Sequence, residues 1–251
     1  MSRITLVTGA SRGLGRNTAL AIARNGGDVV LTFRRNVDEA QATVAAIEAL
    51  GRRAVALQLD TGEVDAFPGF VERLRTALHA GWQRDDFDHL VNNAGHGDTA
   101  PIAETTVAQF DRLVDVHFKG VFFLTQALLT VIRDGGRIVN ISTGLTRFAY
   151  PGYAAYAAAK AAVETLSLYM AKEFGPRGIA VNTVAPGAIA TDFGGGAVRD
   201  NAQINAQLAG ITALGRVGVA DDIGPMIAAL LTDANRWVNA QRIEVSGGQA
   251  I

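Results

Sequence analysis

The chain has 251 residues, 49% hydrophobic and 19% charged, which excludes a disordered chain and leaves room for one or two globular domains. It contains no cysteine, so disulfides, a thiolate nucleophile and Cys-based metal or iron–sulfur sites are excluded, and a reducing compartment fits. A net charge of −1 gives no electrostatic case for nucleic acid or an anionic membrane, and no apolar run approaches the roughly 20 residues that span a bilayer.

In chain order, the opening M-S-R-I-T-L-V-T-G-A enters a strand at Ile4–Thr8 and leaves no room for a signal peptide, so a cytoplasmic protein is expected. Further strands are expected at Asp28–Phe33, Ala54–Leu59, His89–Asn92, Arg137–Ile141, Ala180–Val184 and Gln241–Val245. Helical stretches fill the gaps: Gly13–Asn25, Val37–Leu50, Ala66–His79, Val107–Ile132, Tyr153–Phe174 and Asp221–Leu231. Most strands are near-continuous apolar runs, as in a parallel sheet buried on both faces. Strand–helix alternation predicts an α/β fold: a Rossmann-like, doubly wound parallel sheet of about seven strands with helices on both faces. No repeat, linker or low-complexity tract divides the chain, so residues 1–251 read as one domain. Residues 191–216 break the rhythm with F-G-G-G and a polar run. They follow a strand end, where open α/β sheets place ligands, and are either a surface insertion or a glycine-hinged substrate lid.

V-T-G-A-S-R-G-L-G joins the first strand to the first helix. Gly9, Gly13 and Gly15 permit a tight turn and close approach to a ligand, and the helix end behind Ser11, Arg12 and Leu14 offers free N–H groups to a pyrophosphate. The spacing T-G-x-x-x-G-x-G, with N-N-A-G at 92–95, Y-x-x-x-K at 156–160 and V-N-T-V-A-P-G-A-I-A-T at 181–191, resembles the short-chain dehydrogenase/reductase family over nearly the whole chain. The likeness extends to members of the 3-oxoacyl-carrier-protein reductase type. It implies a nicotinamide cofactor and alcohol–carbonyl interconversion by hydride transfer.

Strand two ends in Phe33, where an NAD-binding domain usually carries an acid, and Arg34 and Arg35 follow. With Arg12 they favour the 2′-phosphate of NADP(H) over NAD(H), because guanidinium forks pair with phosphate. The resemblance implies that Asp60 holds the adenine, although Asp60 also reads as a helix cap. It implies further that Asn92, Ala94 and Gly95 wall the adenosine ribose, that Ile189 and Thr191 hold the nicotinamide carboxamide and pyrophosphate, and that Pro186 and Gly187 belong to the cofactor site.

Tyr156 and Lys160 stand one turn apart on an alanine-rich helix. A neighbouring cation favours phenolate, so Lys160 is expected to lower the pKa of Tyr156, the general acid, and by resemblance to hold the nicotinamide ribose. The family's serine lies thirteen residues before the tyrosine, which here is Thr143; Ser142 is adjacent, but strand alternation points it to the other face. The family's relay asparagine, in D-V-N-x-K-G, is replaced in D-V-H-F-K-G by His117, a residue that titrates near neutral pH and is expected to carry the relay. These two exchanges keep open a rival reading, an NADP(H)-binding sensor or scaffold without turnover.

Leu145, Phe148, Tyr150, Tyr153 and Phe193 suggest an apolar or aromatic small-molecule ketone, while Arg147 either greets an anionic group or faces water. No metal site is expected. By resemblance, the Val107–Ile132 and Tyr153–Met170 helices pair between subunits of a homotetramer or homodimer.

Overall fold

The computed structural model describes residues 2–251. Seven parallel strands lie in the order β3-β2-β1-β4-β5-β6-β7. They are β1 (Ile4–Val7), β2 (Asp28–Phe33), β3 (Ala54–Gln58), β4 (Phe87–Asn92), β5 (Ile132–Ile141), β6 (Ala180–Pro186) and β7 (Arg242–Val245). The order reverses at β1/β4, so the chain's crossovers part there and leave a crevice at the strands' C-terminal ends.

Consecutive residues of each central strand enter opposite cores, which is why the strands read as unbroken apolar runs. Val29, Leu31, Val91, Val139 and Val184 pack under α1 (Gly13–Arg24), α2 (Val37–Glu48) and α9 (Ala220–Leu230). Leu6, Val30, Leu90, Ile138 and Val181 pack under α3 (Phe67–Trp82), α5 (Gly120–Leu128) and α6 (Ala154–Phe174).

Two expectations need correction. The predicted Val107–Ile132 helix stops at Leu128 and is interrupted: α4 (Val107–Val114) passes into a π turn, Asp115–Lys119, before α5. Ile132 belongs to β5 instead, because Phe87 N–H donates to Val131 O at 2.9 Å and sets Ile132 beside Phe87. Residues 191–216 are also more regular than expected. A 3-10 turn, Phe193–Gly196, leads into α7 (Ala197–Asp200) and α8 (Ala202–Gly210). Gly194, Gly195 and Gly196 all have left-handed φ, 60°, 73° and 79°, a run that only glycine adopts without strain.

Near the N-terminal end of β4, His89 is 2% exposed and neither ring nitrogen has a hydrogen-bond partner. No helix among the described residues is long and apolar enough to cross a membrane.

Candidate active site

A cleft of about 640 Å³ opens over the C-terminal ends of the strands. One wall is the β1–α1 loop. Arg12 is the helix N-cap with no side-chain cap bond, and the first turn of α1 carries no acid. The N–H groups of that turn are therefore left for an anion. A Cβ on Gly9 (φ 63°) would sit 2.9 Å from Ala94 Cα, and one on Gly15 would strike the Gly9 carbonyl. Glycine is thus required for the loop to lie against the end of β4. Together, the uncapped helix end and the side-chain-free loop fit a dinucleotide pyrophosphate.

Gly9, Ser11, Arg12, Gly13, Leu14, Gly15, Arg34, Asp60, Ala94, Gly95, Pro186, Gly187, Ile189 and Thr191 all line the cleft as expected. Asn92 does not. Its amide points into the core and donates to Asn140 Oδ1 (2.8 Å) and Thr125 Oγ1 (3.1 Å). The residue at the cleft is Asn93, whose amide fastens the glycine loop through Thr8 O (2.8 Å) and Gly9 O (3.2 Å). Alternation of faces at a strand end was the signal that separates the two. Arg35 is exposed and does not line the cleft; Arg34 alone of that pair does. Asp60 also closes a local turn, Oδ1 accepting from Gly62 N–H at 3.0 Å, but it caps no helix, since the next helical turn starts after Glu63. Arg12 Nη1 pairs with Asp192 Oδ2 at 2.8 Å, a bond across the cleft mouth that the sequence did not suggest.

The opposite wall is α6 against the end of β5. Tyr156 and Lys160, 8% and 3% exposed, share one face. Lys160 Nζ donates to Ile141 O at 2.7 Å and lies 5.9 Å from the Tyr156 ring centre. Burial, not the lysine, sets the direction for the phenol. Burial pushes the Tyr156 phenol well above its ordinary 10.0, against the pull of the Thr143 hydroxyl. Burial also lowers Lys160, to about 8. Desolvation dominates here because the ammonium is turned to a carbonyl rather than to the phenol oxygen. Ser142 and Thr143 both line the cleft, but the Ser142 hydroxyl donates to Glu164 Oε1 at 2.6 Å, whereas Thr143 faces Tyr156.

The π turn rotates His117 inward to zero exposure, its ring edge-on to Tyr156 at 5.1 Å. Nε2 lies 2.8 Å from His96 O, so it carries the hydrogen and leaves Nδ1 as an unpartnered acceptor. A Cβ on Gly95 would come 2.7 Å from His117 Cε1, which explains the glycine of N-N-A-G. Burial first and Lys160 second hold His117 well below 6.5. Contrary to the expectation of a group titrating near neutral pH, the imidazole is neutral there.

Aromatic rings close the rest of the cleft. Tyr153 and Phe193 stand 6.4 and 5.9 Å from Tyr156, and Leu145, Phe148 and Leu208 lie alongside. Gln207 of α8 donates to Tyr150 Oη at 3.0 Å, joining residues 191–216 to the loop after β5. Arg147 does not line the cleft: its guanidinium holds Glu244 at 2.8 Å and the Ala250 carbonyl at 3.0 Å.

A doubly wound sheet carrying an anion cradle and a buried Tyr–Lys pair in one crevice defines a nicotinamide-dependent oxidoreductase. Residues 9–250 match the family model described as enoyl-(acyl carrier protein) reductase. The chain belongs to the short-chain dehydrogenase/reductase family. Among solved structures it is similar to the promiscuous reductase LugOII, which catalyses keto-reduction at C1 during lugdunomycin biosynthesis (39% identity, 99% and 98% of the two chains, TM-score 0.93). It is similar also to the angucycline C-6 ketoreductase LanV with bound NADP (35%, 99% and 95%, TM-score 0.92). Among curated relatives, an NADPH-dependent aldehyde reductase-like chloroplastic protein of Arabidopsis thaliana is 34% identical over 98% of this chain and 93% of its own.

Proposed function

We propose that this protein reduces the carbonyl of an apolar or aromatic ketone or aldehyde with NADPH, with Tyr156 as the general acid. The observation that carries the reading is the meeting of Tyr156, Thr143 and Lys160 at one point, across a single cleft from the uncapped end of α1. When bound, the nicotinamide supplies the hydride. Thr143 donates a hydrogen bond to the carbonyl oxygen, and Tyr156 gives that oxygen its proton. The raised pKa does not prevent this. The acceptor is an alkoxide, the base of a far weaker acid than phenol, and burial keeps Tyr156 fully protonated until it acts. Lys160, anchored on Ile141 O with its nitrogen 5.9 Å from the ring centre, steadies by its charge the phenolate that results. Neutral His117 serves the relay through its Nδ1 lone pair.

A panel of ketones and aldehydes, followed by loss of NADPH absorbance, tests the reading. Protection from thermal unfolding by NADPH with no turnover of any member would favour the sensor instead. Because Lys160 titrates near 8, turnover in the reducing direction is expected to fall as pH rises through about 8, the ammonium losing its proton. No inflection is expected near 6.5, since His117 stays neutral there. A reductive profile whose main inflection sits near 6.5 and vanishes in His117→Asn would overturn this assignment.

Preference for NADPH is assigned to Arg34, which lines the cleft beside Phe33 with no acid at the end of β2. Arg34→Asp is expected to raise KM for NADPH about 10- to 100-fold, the value of one or two charge-assisted bonds, with kcat/KM for NADH unchanged or improved. An unaltered NADPH:NADH ratio would move the preference elsewhere.

Residues 191–216 act in this reading as the substrate lid, closed by Arg12–Asp192 and Gln207–Tyr150 and hinged on Gly194–Gly196. Phe110, Phe122, Phe123, Leu168 and Tyr169 are exposed on α4, α5 and α6, and support pairing of these helices in a homodimer or homotetramer. Light scattering at the monomer mass would refute that assembly. The absence of cysteine suits a cytoplasmic enzyme.

A further inference from the structure

We propose that Glu164 and Arg242 are positioning residues for Thr143, an inference that rests on Thr143 as donor to the carbonyl oxygen. Three successive turns of α6 engage three successive residues at the end of β5. Tyr156 faces Thr143, Lys160 holds the Ile141 carbonyl at 2.7 Å, and Glu164 Oε1 accepts from Ser142 Oγ at 2.6 Å. The spacing i, i+4, i+8 puts all three on one helix face.

Thr143 lies just past the support of the sheet. Ser142 N–H still donates to Val184 O at 2.7 Å, but beyond it the backbone bonds are those of a turn, such as Arg147 N–H to Gly144 O at 2.9 Å. The Thr143 hydroxyl accepts one long bond, from Leu145 N–H at 3.3 Å. Its carbonyl is held better. Arg242 Nη2 donates to it at 3.2 Å, and Thr146 Oγ1 stands 3.0 Å away. The same guanidinium reaches Glu164 Oε1 (2.9 Å), Thr146 Oγ1 (3.0 Å) and Glu244 Oε2 (3.1 Å). Glu164 Oε1 in turn lies 2.8 Å from Thr146 Oγ1.

A planar guanidinium with five donors can serve these acceptors at once, which a lysine cannot. One side chain of β7, two strands from β5, therefore ties the peptide after Thr143 to α6. Rotating that peptide changes the backbone angles that select the threonine rotamer, and so the direction of its hydroxyl. Neither Glu164 nor Arg242 lines the cleft, and both act only through the residues between.

The test is a double-mutant cycle read on a confirmed carbonyl substrate. Arg242→Met, which keeps the aliphatic stem, is expected to lower kcat about 10- to 100-fold, the loss that misplacing a reacting group by about 1 Å brings. The dissociation constant for NADPH, measured by fluorescence, is expected to stay the same and also reports that the variant is folded. In a Thr143→Val background the same substitution is expected to lower kcat no further, because the hydroxyl it positions is gone. Glu164→Gln, which keeps an acceptor for Ser142 and Thr146, is expected to show a smaller loss and the same cancellation, and it decides the matter if Arg242→Met does not fold. An equal loss in both backgrounds, or no loss in the native one, overturns the proposal. Failure of the parent reading looks different: Tyr156→Phe would retain turnover, whatever Arg242→Met does.

Discussion

Tyr156→Phe is expected to lower kcat for a confirmed carbonyl substrate by about 10³-fold, within the 10²–10⁴ range of a positioned general acid, and to leave NADPH affinity unchanged. The substitution removes one oxygen and keeps the ring. Phenylalanine can still pack edge-on to His117 at 5.1 Å and against Tyr153 and Phe193, so the wall of the cleft survives. Nothing nearby can replace the lost proton. Thr143 is a far weaker acid, the Lys160 ammonium is anchored on Ile141 O with its nitrogen 5.9 Å from the Tyr156 ring centre and acts there by charge rather than by contact, and the hydrogen on His117 Nε2 is directed to His96 O. The hydride would still arrive, but onto a carbonyl whose oxygen keeps only the Thr143 hydrogen bond. Undiminished conversion by the variant would remove the mechanism. Loss of NADPH binding along with turnover would show that the phenol served the cofactor site instead.

Acidification from about 6.5 to about 4 is expected to destabilise the protein by about 3 kcal/mol through His89 alone. Burial lowers this imidazole from its ordinary 6.5 to about 4, with Asp88 pulling it up and Arg3 and Arg137 pushing it further down. The unfolded chain takes up the proton first, so between these values it binds more protons than the native state, and stability rises with pH. The contribution is complete above about 6.5 and lost as pH falls to about 4. A gap of about 2.5 pH units at about 1.4 kcal/mol each sets a ceiling of about 3 to 4 kcal/mol, of which about 3 is lost by pH 4, where the native imidazole is half protonated. His117, also lowered by burial, adds in the same direction. Asp28 and Asp88 act in a separate window: hydrogen bonds and arginines hold them below 3.8 despite burial, and their contribution disappears only at still lower pH. His89→Leu is expected to flatten the slope between neutral pH and about 4 by about 3 kcal/mol in chemical denaturation. At neutral pH it is expected to be neutral or stabilising, because it replaces two unpartnered ring nitrogens by apolar atoms. Identical slopes for the two proteins would refute this role of His89.

Much of the frame was legible before the fold was seen, and the failures share a cause. All seven strands, and every helix but α7 and α8, were marked by apolar runs and their period, which report burial on one or both faces. The helix end at Leu128 was missed because Leu129–Ile132 are as apolar as the helix before them; a bond from Phe87 to Val131 decides the matter, over forty residues away in sequence. Asn92 and Asn93 are the same residue type, and only the last pleat of β4 says which one meets the cleft. Arg34 and Arg35 differ in the same way.

By itself the sequence determined which chemical groups this protein carries and in what local order: the glycine loop, the phenol and ammonium one turn apart, the threonine and histidine in place of serine and asparagine. These follow from short-range geometry, since a helix turn or a strand pleat sets neighbours within a few residues. What the tertiary structure alone decided was the state of those groups. Whether Lys160 acidifies Tyr156, whether His117 is charged and what holds Thr143 all depend on water excluded, and on carbonyls and guanidinium groups supplied, by distant segments. Desolvation and long-range hydrogen bonds belong to the packed molecule, and no local spacing encodes them.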